Sequence, residues 1–225
     1  MRVFPRIVPV ADRAVLIELG GAVGPEVQAQ VWALDRALRD DPVAGQVELV
    51  PAMVNLMLVF DPLVTDHAAV RAGVEGRVAA LAEAVVDGAE REVLVCYDAP
   101  YAPDLTAVAE QAGLSSEAVI AAHLAGEYRV AMYGFAPGYA YLSGVAEAIR
   151  LPRKAAPVRG VAAGSVIIAG GQCLVTTLTM PTGWWVIGRS RTRILTGDEG
   201  RPFLFDVGDR VRFRRVTAAE MEGGA

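Results

Sequence analysis

Apolar residues change their spacing several times along the chain, and each change predicts a new element. From Val8 to Leu19, Val10, Val15, Leu16, Ile17 and Leu19 are interrupted by Asp12-Arg13, a pattern for two short strands joined by a turn. Gly24-Pro25 then opens a helix. Proline suits the first helical position, where its missing N–H costs nothing, and Val27, Val31, Leu34 and Leu38 follow at spacings of three and four. Val47 to Val50 and Met53 to Phe60 return to strand character, the second so continuously apolar that it belongs inside its sheet, and Asp61-Pro62 ends it. From Asp66, an N-cap, a second helix carries Val70, Val74, Val78, Leu81 and Val85 on one stripe, weakened by Gly73 and Gly76. Strand, helix, strand, strand, helix resembles a ferredoxin-like half that ends near Gly88.

A new unit begins at Arg91. The strand Glu92 to Tyr97 leads into Asp98-Ala99-Pro100-Tyr101-Ala102-Pro103, and two short helices follow, capped by Asp104 and Ser115 and stopped by Gly113 and Gly126. Beyond Glu127 the pattern becomes short strands between Gly and Pro: Tyr128 to Met132, Ser165 to Ala169, Leu174 to Leu178, Trp184 to Ile187 and Arg210 to Arg214. Such spacing predicts a barrel or sandwich carrying two helices, with a loose tail after Val216. The fold class is therefore α+β: an N-terminal α/β domain over residues 1–90 and a β domain over 91–225. No internal repeat or heptad array is present, which removes solenoids and coiled coils.

At 225 residues, 53% hydrophobic and 21% charged with a mean hydropathy of +0.36, the chain carries more apolar surface than a compact domain needs, and partner contacts would absorb it. A net charge of -5 argues against nucleic acid, whose affinity comes from clustered cations. Cys96 and Cys173 lie far apart on apolar runs, as buried reduced thiols of a cytosolic protein do. The N-terminal residues lack the pattern of a signal peptide, and the most apolar windows are shorter than the ~18 residues that span a bilayer. The expectation is a soluble cytoplasmic protein that binds neither nucleic acid nor membrane.

Candidate chemistry concentrates between Tyr133 and Ser190, where glycine, proline, aromatic rings and isolated cations recur at a density no ordinary core requires. Two histidines, with no cysteine beside them in sequence, exclude a zinc-type ligand spacing. Neither a P-loop nor a G-x-S-x-G elbow occurs. Arg153, Lys154, Arg159 and Arg189 are candidates for holding an anion, since the planar guanidinium matches a carboxylate; solvated loop charge is the competing reading. His123 is open between a proton carrier near a cleft and a core residue bonded to its surroundings. Gln172, after Gly170-Gly171, either aims its amide at a substrate carbonyl or merely follows a tight hairpin. Tyr133, Phe135, Tyr139 and Tyr141 share one face if Pro137-Gly138 keeps the register. Ser143, Ser165 and Cys173 lack an activating base.

Gly134-Phe135-Ala136-Pro137-Gly138-Tyr139-Ala140-Tyr141-Leu142, Pro152-Arg153, Ala163-Gly164-Ser165-Val166, Ile168-Ala169-Gly170-Gly171-Gln172 and Gly183-Trp184-Trp185-Val186-Ile187-Gly188-Arg189 resemble the signature of a known family, as does Gly208-Asp209-Arg210-Val211-Arg212-Phe213. That family is the B component of 5-oxoprolinase, also called allophanate hydrolase subunit 1 or the Kip-type histidine kinase inhibitor. The resemblance implies a cyclophilin-like β-barrel after the N-terminal domain, and likeness to a carboxyltransferase domain. It also implies a C-type partner with a related cyclophilin-like barrel and a third, ATP-using subunit, the three hydrolysing 5-oxoproline to glutamate. ATP thus enters at the level of the complex, and no metal is implied. Inhibition of a histidine kinase is the alternative. Under the resemblance, His123, Gln172 and Arg189 become the catalytic candidates, and Tyr133, Phe135, Tyr141, Arg153, Lys154 and Arg159 face substrate or partner. The chain departs from the family at Cys173-Leu174-Val175-Thr176-Thr177, where a Thr-Gly-Ile-Tyr-Pro-like run is usual, and at Met180-Pro181-Thr182-Gly183. The departure implies an aromatic ring and two glycines missing beside the cleft.

Overall fold

A computed structural model of the chain describes residues 3–81 and 88–223 and divides it into two compact units, Met1–Asp87 and Gly88–Ala225. In the first, strands β1 (Arg6–Val10), β2 (Ala14–Glu18), β3 (Gln46–Pro51) and β4 (Asn55–Phe60) form an antiparallel sheet in the order β1-β2-β4-β3. The apolar run of Met53 to Phe60 thus lies inside the sheet as its continuity predicts. Helices α1 (Pro25–Asp40) and α2 (His67–Ala79) cover one face, burying Val31, Leu34, Leu38, Val70 and Val74 against Val15, Ile17, Leu56, Leu58 and Phe60. Asp66 caps α2 by accepting the Ala69 N–H at 2.9 Å. Val85, the last residue of the sequence stripe, lies outside the described residues. With α1 between β2 and β3 and α2 after β4, the order β2-β4-β3 is that of a ferredoxin-like half, and β1 occupies the remaining edge.

The second unit holds β5 (Glu90–Cys96), α3 (Leu105–Ala112), α4 (Ser116–Leu124), β6 (Tyr128–Tyr133), β7 (Ala140–Ser143), β8 (Val158–Val161), β9 (Ser165–Ala169), β10 (Gln172–Val175), β11 (Met180–Thr182), β12 (Trp185–Ser190), β13 (Arg210–Val216) and α5 (Ala218–Glu222). Seven strands close a barrel in the order β10-β7-β6-β13-β5-β12-β9, and β8 and β11 form a separate ribbon. The barrel is closed by β5 and β13, which run parallel with Arg210 opposite Glu90.

Side chains of β9, β10 and β12 alternate between two cores. Val166, Ile168, Cys173, Val175 and Ile187 join one core with α3 and α4, whereas Ile167, Ala169, Leu174 and Val186 join a second with Tyr139, Val161 and Trp184. Burial on both faces explains why Ser165 to Ala169 is continuously apolar.

The structure corrects several sequence expectations. Strands β7, β8 and β11 have only three or four residues, and β8 and β11 include Gly160 and Pro181, too little pattern to read. Strand β10 runs from Gln172 to Val175 rather than from Leu174 to Leu178, because the Gly170-Gly171 turn pairs Gln172 with Ala169. Over residues 217–223 the tail is structured: Thr217 and Glu220 form a reciprocal capping box that starts α5.

Asp209 joins the strand ends of the barrel. Its carboxylate, 3% exposed, accepts the Ala89 and Asp206 N–H groups at 2.8 and 3.0 Å and pairs with Arg91 Nε at 2.8 Å. Its own carbonyl accepts from Val130 on β6 at 2.9 Å. Asp209→Ala leaves two N–H groups and a largely buried guanidinium without their partner, a loss of roughly 3–5 kcal/mol. Urea unfolding should show it, and Asp209→Asn, which keeps acceptor and shape, should lose less.

Candidate functional site

The outer core of the barrel unit carries most of the rings of the candidate stretch. Phe135, Tyr139, Tyr141 and Trp184 form a continuous row with centroid separations of 5.2, 6.1 and 6.0 Å. The Arg153 guanidinium ends the row, 5.5 Å above the Trp184 ring. Phe135 and Arg153 are exposed, Tyr141 is half-buried, and Tyr139 and Trp184 are buried supports. The Tyr139 hydroxyl donates to Met180 Sδ at 2.9 Å, tying the row to the β8–β11 ribbon.

Arg153 is held in place by the segment around it. The Lys154 N–H donates to the Gly183 carbonyl at 2.7 Å, Trp185 Nε1 to the Pro152 carbonyl at 2.8 Å, and the Gly170 N–H to the Leu151 carbonyl at 2.7 Å. Lys154 itself is not available for an anion. Its ammonium pairs with Asp104 Oδ2 and lies 5.3 Å from the Trp185 ring centroid. The same carboxylate accepts the Val186 N–H at 2.7 Å, while the Asp104 N–H donates to the Val186 carbonyl at 3.0 Å. Asp104 therefore does not cap α3 through its side chain, as the sequence predicts; a strand N–H and an ammonium take its oxygens. No carboxylate among the described residues pairs with Arg153, so its fork stays open to a ligand.

Other candidates lie elsewhere. Arg159 is exposed on β8, in the ribbon next to the row. Arg189 sits five residues beyond Trp184, about 16 Å along an extended strand at ~3.3 Å per residue, opposite Cys96 and Ser165. Tyr133 leaves the face shared by the other rings: its hydroxyl donates to the Phe205 carbonyl and its ring lies 5.6 Å from Phe203. Gln172 starts β10, half-buried, opposite Ala169 and Ser143. Ser165 Oγ donates to the Ala162 carbonyl at 2.8 Å and fixes a turn. A depression of about 630 Å³ between β1 and α2 of the first unit includes Ile7, Arg71, Glu75 and Val78 and no candidate residue.

His123 is completely buried in the inner core. Its Nδ1 lies 2.7 Å from Tyr97 Oη and its Nε2 3.5 Å from Cys173 Sγ, among the rings of Tyr97, Tyr128 and Phe213. Burial lowers its pKa to about 3 and raises that of the Cys173 thiol, so both are neutral near pH 7. Of the two readings left open, this geometry supports the core residue. Residues 173–176 are buried as well, so their side chains line no open cleft.

Sequence alone does not single out Trp184 and Asp104 as site residues. A tryptophan following glycine and preceding a second tryptophan marks the first; the partners of Asp104, 50 and 82 positions away, leave no local trace. Among the described residues no group of His, Cys, Asp or Glu could hold a metal ion, and no helix is long and apolar enough to cross a membrane.

Similarity to known proteins is extensive. Residues 5–205 match the family described as carboxyltransferase domain, subdomain C and D. The chain is 35% identical to the 5-oxoprolinase B subunit of Bacillus subtilis (strain 168), over 96% of this chain and 95% of that one. It is 33% identical to the 5-oxoprolinase B subunit of Haemophilus influenzae, over 92% and 96% respectively. The solved structure of TTHA0988 superposes with a TM-score of 0.79 at 35% identity, covering 91% of this chain but 40% of that chain.

The buried imidazole makes stability depend on pH. Above its ordinary value of 6.5 the imidazole is neutral in both folded and unfolded chains; between 6.5 and about 3 only the unfolded chain takes up the proton. His123 therefore withdraws stability as the pH falls through that window, roughly 2 kcal/mol by pH 5. Urea unfolding at pH 7.5 and pH 5 should show a smaller loss for His123→Gln than for the unmodified chain; equal losses would mean that His123 titrates normally.

Proposed function

The chain belongs to the family of carboxyltransferase domains, subdomains C and D, and from that premise we propose that it is the B subunit of an ATP-dependent 5-oxoprolinase-type hydrolase. The observation that carries the reading is 33–35% identity over more than nine-tenths of the chain to proteins named as that subunit. The kinase-inhibitor alternative draws no support from these relatives. A subunit name implies companions, here a C-type barrel subunit and a third that uses ATP, working together in the cytoplasm. The overall reaction opens the lactam ring of 5-oxoproline: the C–N bond of the amide breaks, water supplies the new carboxylate oxygen, and the ring nitrogen becomes the amine of glutamate.

A lactam is a poor electrophile. Its activation, through phosphorylation of the carbonyl oxygen, belongs to the ATP-using companion; no phosphate-binding loop is legible in this chain. This chain contributes binding and charge. Arg153, backed by Trp184 and unpaired, suits the α-carboxylate of 5-oxoproline, since a fork fixed by a ring beneath it loses little freedom on binding. Arg159 and Arg189 are the remaining cations for developing negative charge, and Gln172 the remaining amide for a carbonyl. His123 serves the barrel's interior in this scheme and takes no part in proton transfer.

With cognate companion subunits, 5-oxoproline-dependent ATP hydrolysis should require this chain; equal activity without it would end the enzyme reading. Arg153→Ala should lower kcat/KM for 5-oxoproline by roughly 10- to 100-fold, the worth of a charge-assisted fork. Its melting temperature should stay unchanged, because an exposed arginine adds little to stability. Arg189→Ala should also lower activity; a parallel loss of melting temperature in either variant would make that arginine structural.

A further inference from the structure

We infer that the turn Gly134–Gly138 is a docking knob that inserts Phe135 into an apolar pocket of the companion barrel subunit; the inference rests on the proposed reading of this chain as one subunit of several. Phe135 combines three features that an isolated domain would avoid. Its φ is +73°, in the region that favours glycine. The Ala136 N–H donates to the Gly134 carbonyl at 2.9 Å, so Phe135 is the central residue of a three-residue γ-turn, the rare, strained form with positive φ. The residue is 71% exposed.

The surroundings hold the ring out. The Tyr139 N–H donates to the Ala136 carbonyl at 3.0 Å across Pro137-Gly138, with Gly138 at φ +70°. Thr177 Oγ1 donates to the Pro137 carbonyl at 2.9 Å. A Cβ on Gly138 would lie 2.7 Å from Leu195 Cδ2, so the turn is pressed onto the Ile194-Leu195 segment. Below Phe135 lies the buried Tyr139 ring. Strain and an exposed ring persist only where the structure over-determines them, and such residues concentrate at sites of contact. A rigid, pre-positioned aromatic is also the residue type that anchors protein interfaces.

Chemistry and length decide the occupant. Residues 134–142 contain no charged side chain, and the exposed neighbour Leu195 is apolar. Phe135 lies at the opposite end of the ring row from Arg153, three ring-to-ring steps away, and has no cation of its own turn to offer a carboxylate. The occupant is therefore a protein surface. TTHA0988, matched over 91% of this chain, extends well beyond the match, with less than half of its length covered, so a natural relative joins this unit to more polypeptide than the unit itself contains.

The test uses the full chain and its cognate companion barrel subunit, titrated by calorimetry. Phe135→Gly removes the ring and relieves the positive φ. It should keep or raise the melting temperature while weakening binding roughly 30-fold or more, as for an interface hot spot. Phe135→Tyr, which keeps the ring, should bind like the unmodified chain. In the assembled enzyme, excess companion subunit should restore the activity of Phe135→Gly. Unchanged binding by Phe135→Gly, no binding by the unmodified chain, or loss of self-association in place of companion binding would each overturn the inference. Binding through Phe135 without 5-oxoproline-dependent ATP hydrolysis would leave the docking knob standing and remove the enzyme reading alone.

Discussion

The Asp104 carboxylate is the contact on which the candidate site depends. It reaches the ammonium of Lys154 and the N–H of Val186, so one side chain joins the start of α3, the loop before the ribbon and the barrel strand β12. Both ions are largely withdrawn from water, with side-chain exposures of 12% for Lys154 and 20% for Asp104. At that depth a lone charge is costly, and the pair constrains where both segments sit. Because Lys154 is fixed, its neighbour Arg153 projects from a set position onto Trp184 with its fork unused. The difference between adjacent cations, one paired with a carboxylate and one lying over a ring, follows from this single carboxylate.

A similar division separates the two cores. Rings that pack inside the barrel unit, Tyr97, Tyr128 and Phe213, enclose His123 and suppress its charge. The outer rings instead lead from a buried support to an exposed tip at either end. A histidine in a low-dielectric interior is a poor acid or base at neutral pH, and the exposed arginine needs no titration to act. The candidate site therefore lies with the outer core, beside Tyr139, Tyr141 and Trp184, and not with the inner one.

Much of this architecture is legible in the sequence, and what is not has identifiable causes. Period and capping place α1, α2 and the interior strand β4, since Val31, Leu34, Leu38, Val70 and Val74 follow helical spacing and Asp66 caps as its type suggests. The barrel strands read well where β-branched residues run on, as at Ser165 to Ala169. They read poorly where a strand is Met180-Pro181-Thr182, whose pairing with β8 comes from the surrounding fold. At the site, the motif residues Phe135, Tyr141 and Arg153 fall on one face. Lys154, His123 and Tyr133 do not, because their partners Asp104, Tyr97 and Phe205 lie far off in sequence, and residue type alone cannot show which charge is already paired or which ring turns inward.

The parallel pairing of β5 with β13 has a consequence for how the protein is made. The Ala89 N–H and the Asp209 carboxylate that receives it are 120 positions apart, and the two strands run alongside each other over their whole length. Until that last strand leaves the ribosome, β5 and β6 each present an unpaired edge to the cell, and the ring of strands stays open. Pairings so distant in sequence form slowly, and open edges invite other chains. The barrel's final hydrogen-bonded seam is therefore also its period of greatest vulnerability, and slower synthesis at lower temperature should favour soluble protein.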